Sequence, residues 1–193
     1  KNQSISATEL DGLFETWRDS LDHEEGGANR APKFPMPVNL QYLLDYGVLS
    51  RNQEALDHVR LTLEKMAQGG IYDQVGGGFA RYSVDSYWKV PHFEKMLYDN
   101  AQLISLYANA SRALNEPSFL AVAEETLRFC ERELRDDNGA FYSALDADSE
   151  GEEGKFYVWQ APALKGLIPA ADWPLFEKYY NINPTGHWEQ GNY

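Results

Sequence analysis

The chain holds a single cysteine, Cys130. That excludes an internal disulfide framework and any CxxC redox or zinc motif. Basic clusters are missing too. Only 17 Lys+Arg stand against 30 Asp+Glu, a formal net charge of -13, and the cations are scattered singly or in pairs. Nucleic-acid binders neutralise phosphates with grouped Lys and Arg, so DNA, RNA and anionic membrane surfaces are excluded as partners. No run approaches the roughly 18 consecutive apolar residues of a membrane span. The stretch from Lys1 to Leu10 lacks the apolar core of a signal peptide. A cytoplasmic setting fits these absences.

Several motifs are absent as well. Strands and helices do not alternate as in a Rossmann or barrel fold, and no tetratricopeptide or ankyrin period appears. Gly76-Gly77-Gly78 is not followed by the Lys-Ser/Thr of a phosphate loop. His23-Glu24-Glu25 lacks the second histidine of a zinc protease. The turn Asp146-Ala-Asp148-Ser-Glu150-Gly151 imitates the start of a calcium loop but has Tyr157 where an EF-hand needs Glu. The residues therefore supply no metal site and call for no cofactor.

What is present is 43% hydrophobic, enough for a core, and largely helical in period. Leu10, Leu13, Phe14, Trp17 and Leu21 recur at three- and four-residue steps, predicting a helix over 6–23. Ser6 and Glu9 read as its capping box. Gly26-Gly27 and the prolines at 32, 35 and 37 follow, and Pro37 suits the first turn of a second helix with Leu40, Leu43, Leu44, Gly47 and Val48 on its stripe. A third, about Gln53 to Ala67, carries Leu56, Val59, Leu63 and Met66. The fourth is predicted over about His92 to Leu114, with Phe93, Met96, Leu97, Asn100, Ile104, Tyr107 and Ala108 inward. The fifth opens at Pro117 and bears Leu120, Ala123, Leu127, Cys130 and Leu134. Phe141-Tyr142 and Phe156 to Trp159 read as short strands flanking the acidic turn Asp146–Gly154, and two weaker helices start near Ala161 and Asp172. The predicted fold is all-α: antiparallel helical hairpins with one small β-hairpin.

Chemistry concentrates in the glycine-rich connection over 69–91 and the helix after it. Long connections without regular structure are uncommon and often functional. This one offers Tyr72, Asp73, Arg81, Tyr82, Asp85 and Trp88, followed by His92, Glu94, Tyr98 and Asp99. Flat aromatic faces beside carboxylates suit a sugar-like ligand, which has an apolar ring face and a polar rim. Asp73, His92 and Asp99 are the expected catalytic groups. Tyr72, Arg81, Tyr82, Asp85, Trp88, Glu94, Tyr98, Asp146 and Asp148 are the expected substrate contacts. His92, Lys95 and Asp99, at i, i+3 and i+7, would share one side of the fourth helix, with His92 in its first turn. Tyr72, Asp73, Arg81, Tyr82, Trp88, His92 and Asp99 are expected to converge on one concave surface.

Ala31-Pro-Lys-Phe-Pro35, Gly69 to Asp85, Val90 to Gln102 and Ala144 to Trp159 closely resemble the spermatogenesis-associated protein 20 family. The resemblance implies an N-terminal thioredoxin-like domain followed by an (α/α)6 toroid similar to six-hairpin glycosidases and N-acylglucosamine 2-epimerases. This chain matches part of the toroid and has no thioredoxin-like part. Gln74 and Ala80 stand where the family commonly has histidines, which leaves His92 as the sole histidine of the region. The implied function is carbohydrate processing or binding by acid/base chemistry. The alternative is a non-catalytic helical binding or scaffold module. The rest of a full-length chain is the implied partner, and self-association through uncovered toroid flanks is expected of the isolated piece.

Overall fold

A computed structural model describes residues 6–187 and residue 192. The chain divides into two compact units, residues 1–147 and 148–193.

In the first unit, helix α1 spans Ala7–Arg18 and starts at the expected capping box. Glu9 N donates to Ser6 Oγ at 3.3 Å and Ser6 N donates to Glu9 Oε2 at 2.8 Å. The helix stops short of the predicted His23. Leu21 leaves it to pair with Ala28, and the Asp22 carboxylate accepts from Glu24 N and Glu25 N. Pro37 begins α2 (Pro37–Ser50), and the side chain of Asn52 caps α3 (Gln53–Gln68) through Ala55 N. These two form one helical hairpin. Helix α4 (Leu97–Ala113) and α5 (Pro117–Phe129) form a second, which α4 joins to α2. The core between them holds Leu43, Leu44, Val59, Leu63, Met66, Leu103, Tyr107 and Phe119. The hydroxyl of buried Tyr107 donates to Leu63 O at 2.8 Å, which ties the hairpins together.

Three expectations need correction here. Helix α4 begins at Leu97, five residues later than the predicted His92, because 92–96 is drawn into extended pairing. Strand β1 (Lys95–Met96) runs antiparallel to β2 (Ala144–Leu145). The buried side of α5 is Phe119, Ala123, Thr126 and Phe129, while Leu120 and Leu127 are about half exposed. A π-helical turn over Cys130–Leu134 follows the helix, and Cys130 and Leu134 are buried there. Phe141 does not belong to the acidic hairpin; it bridges to Arg135.

The connection over 69–91 is two tight ribbons. In the first, Tyr72 pairs with Phe79 and the chain reverses through Asp73–Gly78. Gly78 has φ +82, and a Cβ there would overlap the Phe129 ring. Gly78→Ala is therefore expected to cost about 2–4 kcal/mol, from the left-handed backbone and the clash together. Chemical denaturation measures it, and a loss under about 0.5 kcal/mol would contradict the packing.

In the second unit, β3 (Asp148–Ser149) and β4 (Glu152–Glu153) form a hairpin around Glu150-Gly151, both at positive φ. A hairpin was expected, but its strands lie inside the acidic turn; Phe156 to Trp159 is not strand. Lys155 pairs with Glu150 at 2.7 Å. Helices α6 (Ala161–Leu167) and α7 (Trp173–Tyr179) begin near the predicted positions. No helix of the described residues is long and apolar enough to cross a membrane.

Candidate functional site

Three motif strings, far apart in sequence, meet in one ribbon. Lys33 N donates to Ser83 O at 2.8 Å and Ser83 N returns a bond to Lys33 O at 2.9 Å. On the other side Ser83 bridges to Pro91. Between the second and third strings, Val84 N donates to Val90 O, His92 N to Tyr82 O and Arg81 N to Glu94 O. Buried Lys33 fastens the first string. Its ammonium donates to Asp22 Oδ2 at 2.7 Å and Gly26 O at 2.8 Å, and it lies over the Trp88 ring.

This pairing stacks three rings. Phe34 lies on Tyr82 with centroids 4.8 Å apart, and Tyr82 lies on His92 at 4.8 Å and 16° between planes. Offset ring stacks of this kind hold their members in fixed orientation.

Asn100 joins the ribbon to α4. Its Oδ1 accepts from Phe79 N at 2.7 Å, and its Nδ2 donates to Phe79 O and Met96 O. That brings Asp99, in the first turn of α4, near Arg81 and Glu94. Arg81 pairs with Glu94 at 3.1 Å and also engages the Tyr98 hydroxyl. Asp99 is only 9% exposed, and its Oδ2 has no hydrogen-bond partner. Burial pushes its pKa up to about 6; Arg81 opposes the rise and Glu94 adds to it. The helix N-terminus favours a carboxylate by only about 0.3–1 kcal/mol, too little to offset that desolvation.

The remaining predicted residues do not join this cluster. Asp73 was expected to be catalytic, yet its Oδ2 accepts from buried Lys95 Nζ at 2.8 Å and its Oδ1 accepts from Val75 N and Gly76 N. Burial alone would raise the Asp73 carboxyl; Lys95 and these N–H groups hold it below its ordinary value. Lys95 therefore faces Asp73 across the ribbon and does not share a helical face with Asp99. His92 precedes α4 altogether, so the helix-dipole reading of its ring does not apply. Tyr72 is buried and its hydroxyl donates to Glu125 at 2.6 Å; burial first, then this carboxylate, pushes its pKa up. Asp85 closes its own turn by accepting from Tyr87 N, Lys89 N and Val90 N. Trp88 is fully buried, with its indole N–H on Glu25 O. The seven residues expected on one concave surface therefore divide. Arg81, Tyr82, His92 and Asp99 are brought together with Glu94 and Tyr98; Tyr72, Asp73 and Trp88 are drawn inward. Asp146 is exposed in the first unit, and Asp148 is exposed in β3 of the second.

Sequence reasoning missed Phe34 and assigned Asn100 only an inward position. Phe34 had one signal, its place between the prolines at 32 and 35. Two concavities lie away from Asp99 and Glu94. One of about 860 Å³ sits between α2 and α4, lined by residues such as Gln41, Val48 and Arg112. Another of about 450 Å³ is lined by Phe34 and the 17–30 segment. Neither is lined by Asp99. The walls of the first concavity bring together no buried titrating group, whereas the Asp99 cluster does.

No protein-family profile matches the chain. It is 40% identical over 204 residues to human spermatogenesis-associated protein 20, an alignment covering 94% of this chain and 26% of that protein. The chain thus spans about a quarter of the length of the curated relatives it matches. Among solved structures it is similar to cellobiose 2-epimerase from Spirochaeta thermophila, with TM-score 0.61, 23% identity and coverage of 72% of this chain and 39% of that one. It is also similar to a family 76 glycoside hydrolase from a Bacteroides thetaiotaomicron strain, with TM-score 0.56, 14% identity and coverage of 74% and 33%. At these identities the likeness shows the fold: antiparallel helical hairpins of an (α/α)6 toroid.

Proposed function

The chain belongs to the spermatogenesis-associated protein 20 family, and on that premise we propose that it forms part of a toroid that processes a carbohydrate, with Asp99 as its proton-transfer group. The observation that carries this reading is the buried Asp99 carboxyl, unpartnered at Oδ2 and titrating near pH 6. A general acid or base works best when its pKa lies near the operating pH. Glu94, held by Arg81, is the neighbouring second carboxylate of the pair that sugar hydrolysis needs. His92, the end ring of the stack, offers a flat face to a pyranose and is the second proton-handling group. Asp73 has a holding role. Epimerases and hydrolases share the fold, so the fold alone does not select the reaction.

The cytoplasmic setting belongs to the same proposal, as does the role of the remaining chain in covering the half-exposed Leu120 and Leu127. The alternative, a binding module without turnover, draws on the engagement of Asp73, Asp85 and Glu94 by their neighbours.

The test uses the full-length protein with glucose, mannose, N-acetylglucosamine and cellobiose, following turnover by NMR and binding by thermal shift, since a ligand stabilises by mass action. Turnover with a pH limb near 6 that Asp99→Asn removes is the expected result. Binding without turnover favours the module. Turnover indifferent to Asp99→Asn would overturn the assignment.

A further inference from the structure

The polar side chains around Asp99 are mostly engaged by one another; those around the 450 Å³ cavity are not. Its wall includes Trp17, Asn29, Arg30, Phe34, Asn39 and His58. The Asn29 and Asn39 amides, the Arg30 guanidinium and the Trp17 indole N–H have no hydrogen-bond or ion-pair partner among the described residues. Four donor-bearing groups therefore line one hollow beside two aromatic rings. A volume of this size lies within the range of small-molecule sites, roughly 300–1,000 Å³.

The sixth residue adds no charge. His58, on α3, is 96% buried by its 4% exposure. Thr62 Oγ1 donates its only proton to His58 O at 2.8 Å, so towards the ring at 3.4 Å it can only accept. The imidazole therefore carries its hydrogen on Nε2, and Nδ1 is left a bare acceptor. Nδ1 has no partner. Burial, reinforced by His23, lowers the ring pKa to about 4, so it is neutral at physiological pH.

We infer that this cavity is a second ligand site, which takes an uncharged hydroxylated ring. The reasons are chemical. Trp17 and Phe34 supply apolar faces for a ring. Amide, indole and guanidinium donors meet hydroxyl oxygens, and the neutral His58 adds no charge to the wall. Asp19 also lines the wall and balances Arg30, so the formal side-chain charge of the site cancels and an anionic ligand gains nothing overall. The class of ligand rests on the sugar reading above; the place of the site does not, because none of its residues belongs to the Asp99 cluster. Phe34 connects the two, lining the cavity and stacking on Tyr82.

The experiment is isothermal titration of the full-length protein with glucose, cellobiose and glucose 6-phosphate, in wild type, in Arg30→Ala/Asn39→Ala and in Asp99→Asn. Arg30 is exposed and Asn39 half-buried, so the double variant leaves the core intact, which circular dichroism checks. Loss of one hydrogen bond from a charged donor and one from a neutral donor corresponds to about a tenfold or greater rise in Kd. The expected result is cellobiose binding that weakens at least about tenfold in the double variant and survives in Asp99→Asn. Binding lost only in Asp99→Asn would place the ligand at the carboxylate cluster and overturn the cavity. Tighter binding of glucose 6-phosphate than of glucose would overturn the uncharged class. No binding of any probe at about 10 mM, an affinity weaker than about 3 kcal/mol, would overturn the site.

Discussion

Lys95→Met is expected to destabilise the protein by about 3–5 kcal/mol, the scale for leaving one member of a buried ion pair uncompensated. The Lys95 side chain is 4% exposed and sits 2.8 Å from Asp73. It also donates to Gly77 O at 2.9 Å and lies over the Phe129 ring. One ammonium thus holds the glycine turn, the ribbon and the end of α5 together. Asp73→Asn/Lys95→Met should lose less than the sum of the two single changes, because it leaves no stranded charge; couplings of contacting residues run to about 0.5–3 kcal/mol. Urea denaturation of the four proteins gives the cycle. An additive result would mean that the pair does not hold the loop. The exposed Arg128–Glu124 pair at 3.2 Å is the contrast: helical pairs of that kind contribute about 0.3–0.5 kcal/mol.

Asp99→Asn is expected to stabilise the protein at neutral pH while lowering the turnover proposed for the full-length protein. The Asp99 pKa rises from an unfolded 3.8 to about 6 in the fold. Between these values the folded state binds more protons than the unfolded one, so stability falls as pH rises from about 4 to about 6 and stays lower above that. At 1.36 kcal/mol per unit the full shift corresponds to about 3 kcal/mol. The uncharged amide escapes that cost. Asp99→Asn should therefore gain about 1–3 kcal/mol at pH 7–8 and nothing near pH 4, where the wild-type carboxyl is already protonated. Turnover should fall about 10²-fold or more, the usual share of a general acid or base. Denaturation at several pH values checks the first part and kinetics the second. A variant destabilised at every pH would make Asp99 a structural carboxylate.

These expectations set the two carboxylates apart, and spacing in the sequence could not. Asp73 and Asp99 are both carboxylates in a segment dense with glycine and aromatics. Asp73 lies across the ribbon from a lysine; Asp99 lies where none reaches. The same limit explains the fourth helix. The period through Phe93, Met96 and Asn100 is helical on paper, but His92 and Glu94 accept backbone bonds from, or donate them to, the 81–84 segment. Pairing with a distant strand overrode a local periodicity. On α5, Leu120 and Leu127 matched the stripe while Phe119 and Thr126 took the buried positions, since hydrophobic spacing leaves the rotation of a helix free by one position.

The sequence alone determined the helical-hairpin architecture, because strong local signals placed α2 at Pro37, α3 after Asn52, α5 at Pro117 and the Ser6–Glu9 cap of α1. It also determined the family to which its motif strings belong. Only the tertiary structure decided what each polar side chain does. Whether a carboxylate is neutralised or stays buried without a partner depends on atoms far away in the sequence. Lys95 meets Asp73 across 22 positions and Phe34 meets Tyr82 across 48, and no local pattern encodes such contacts.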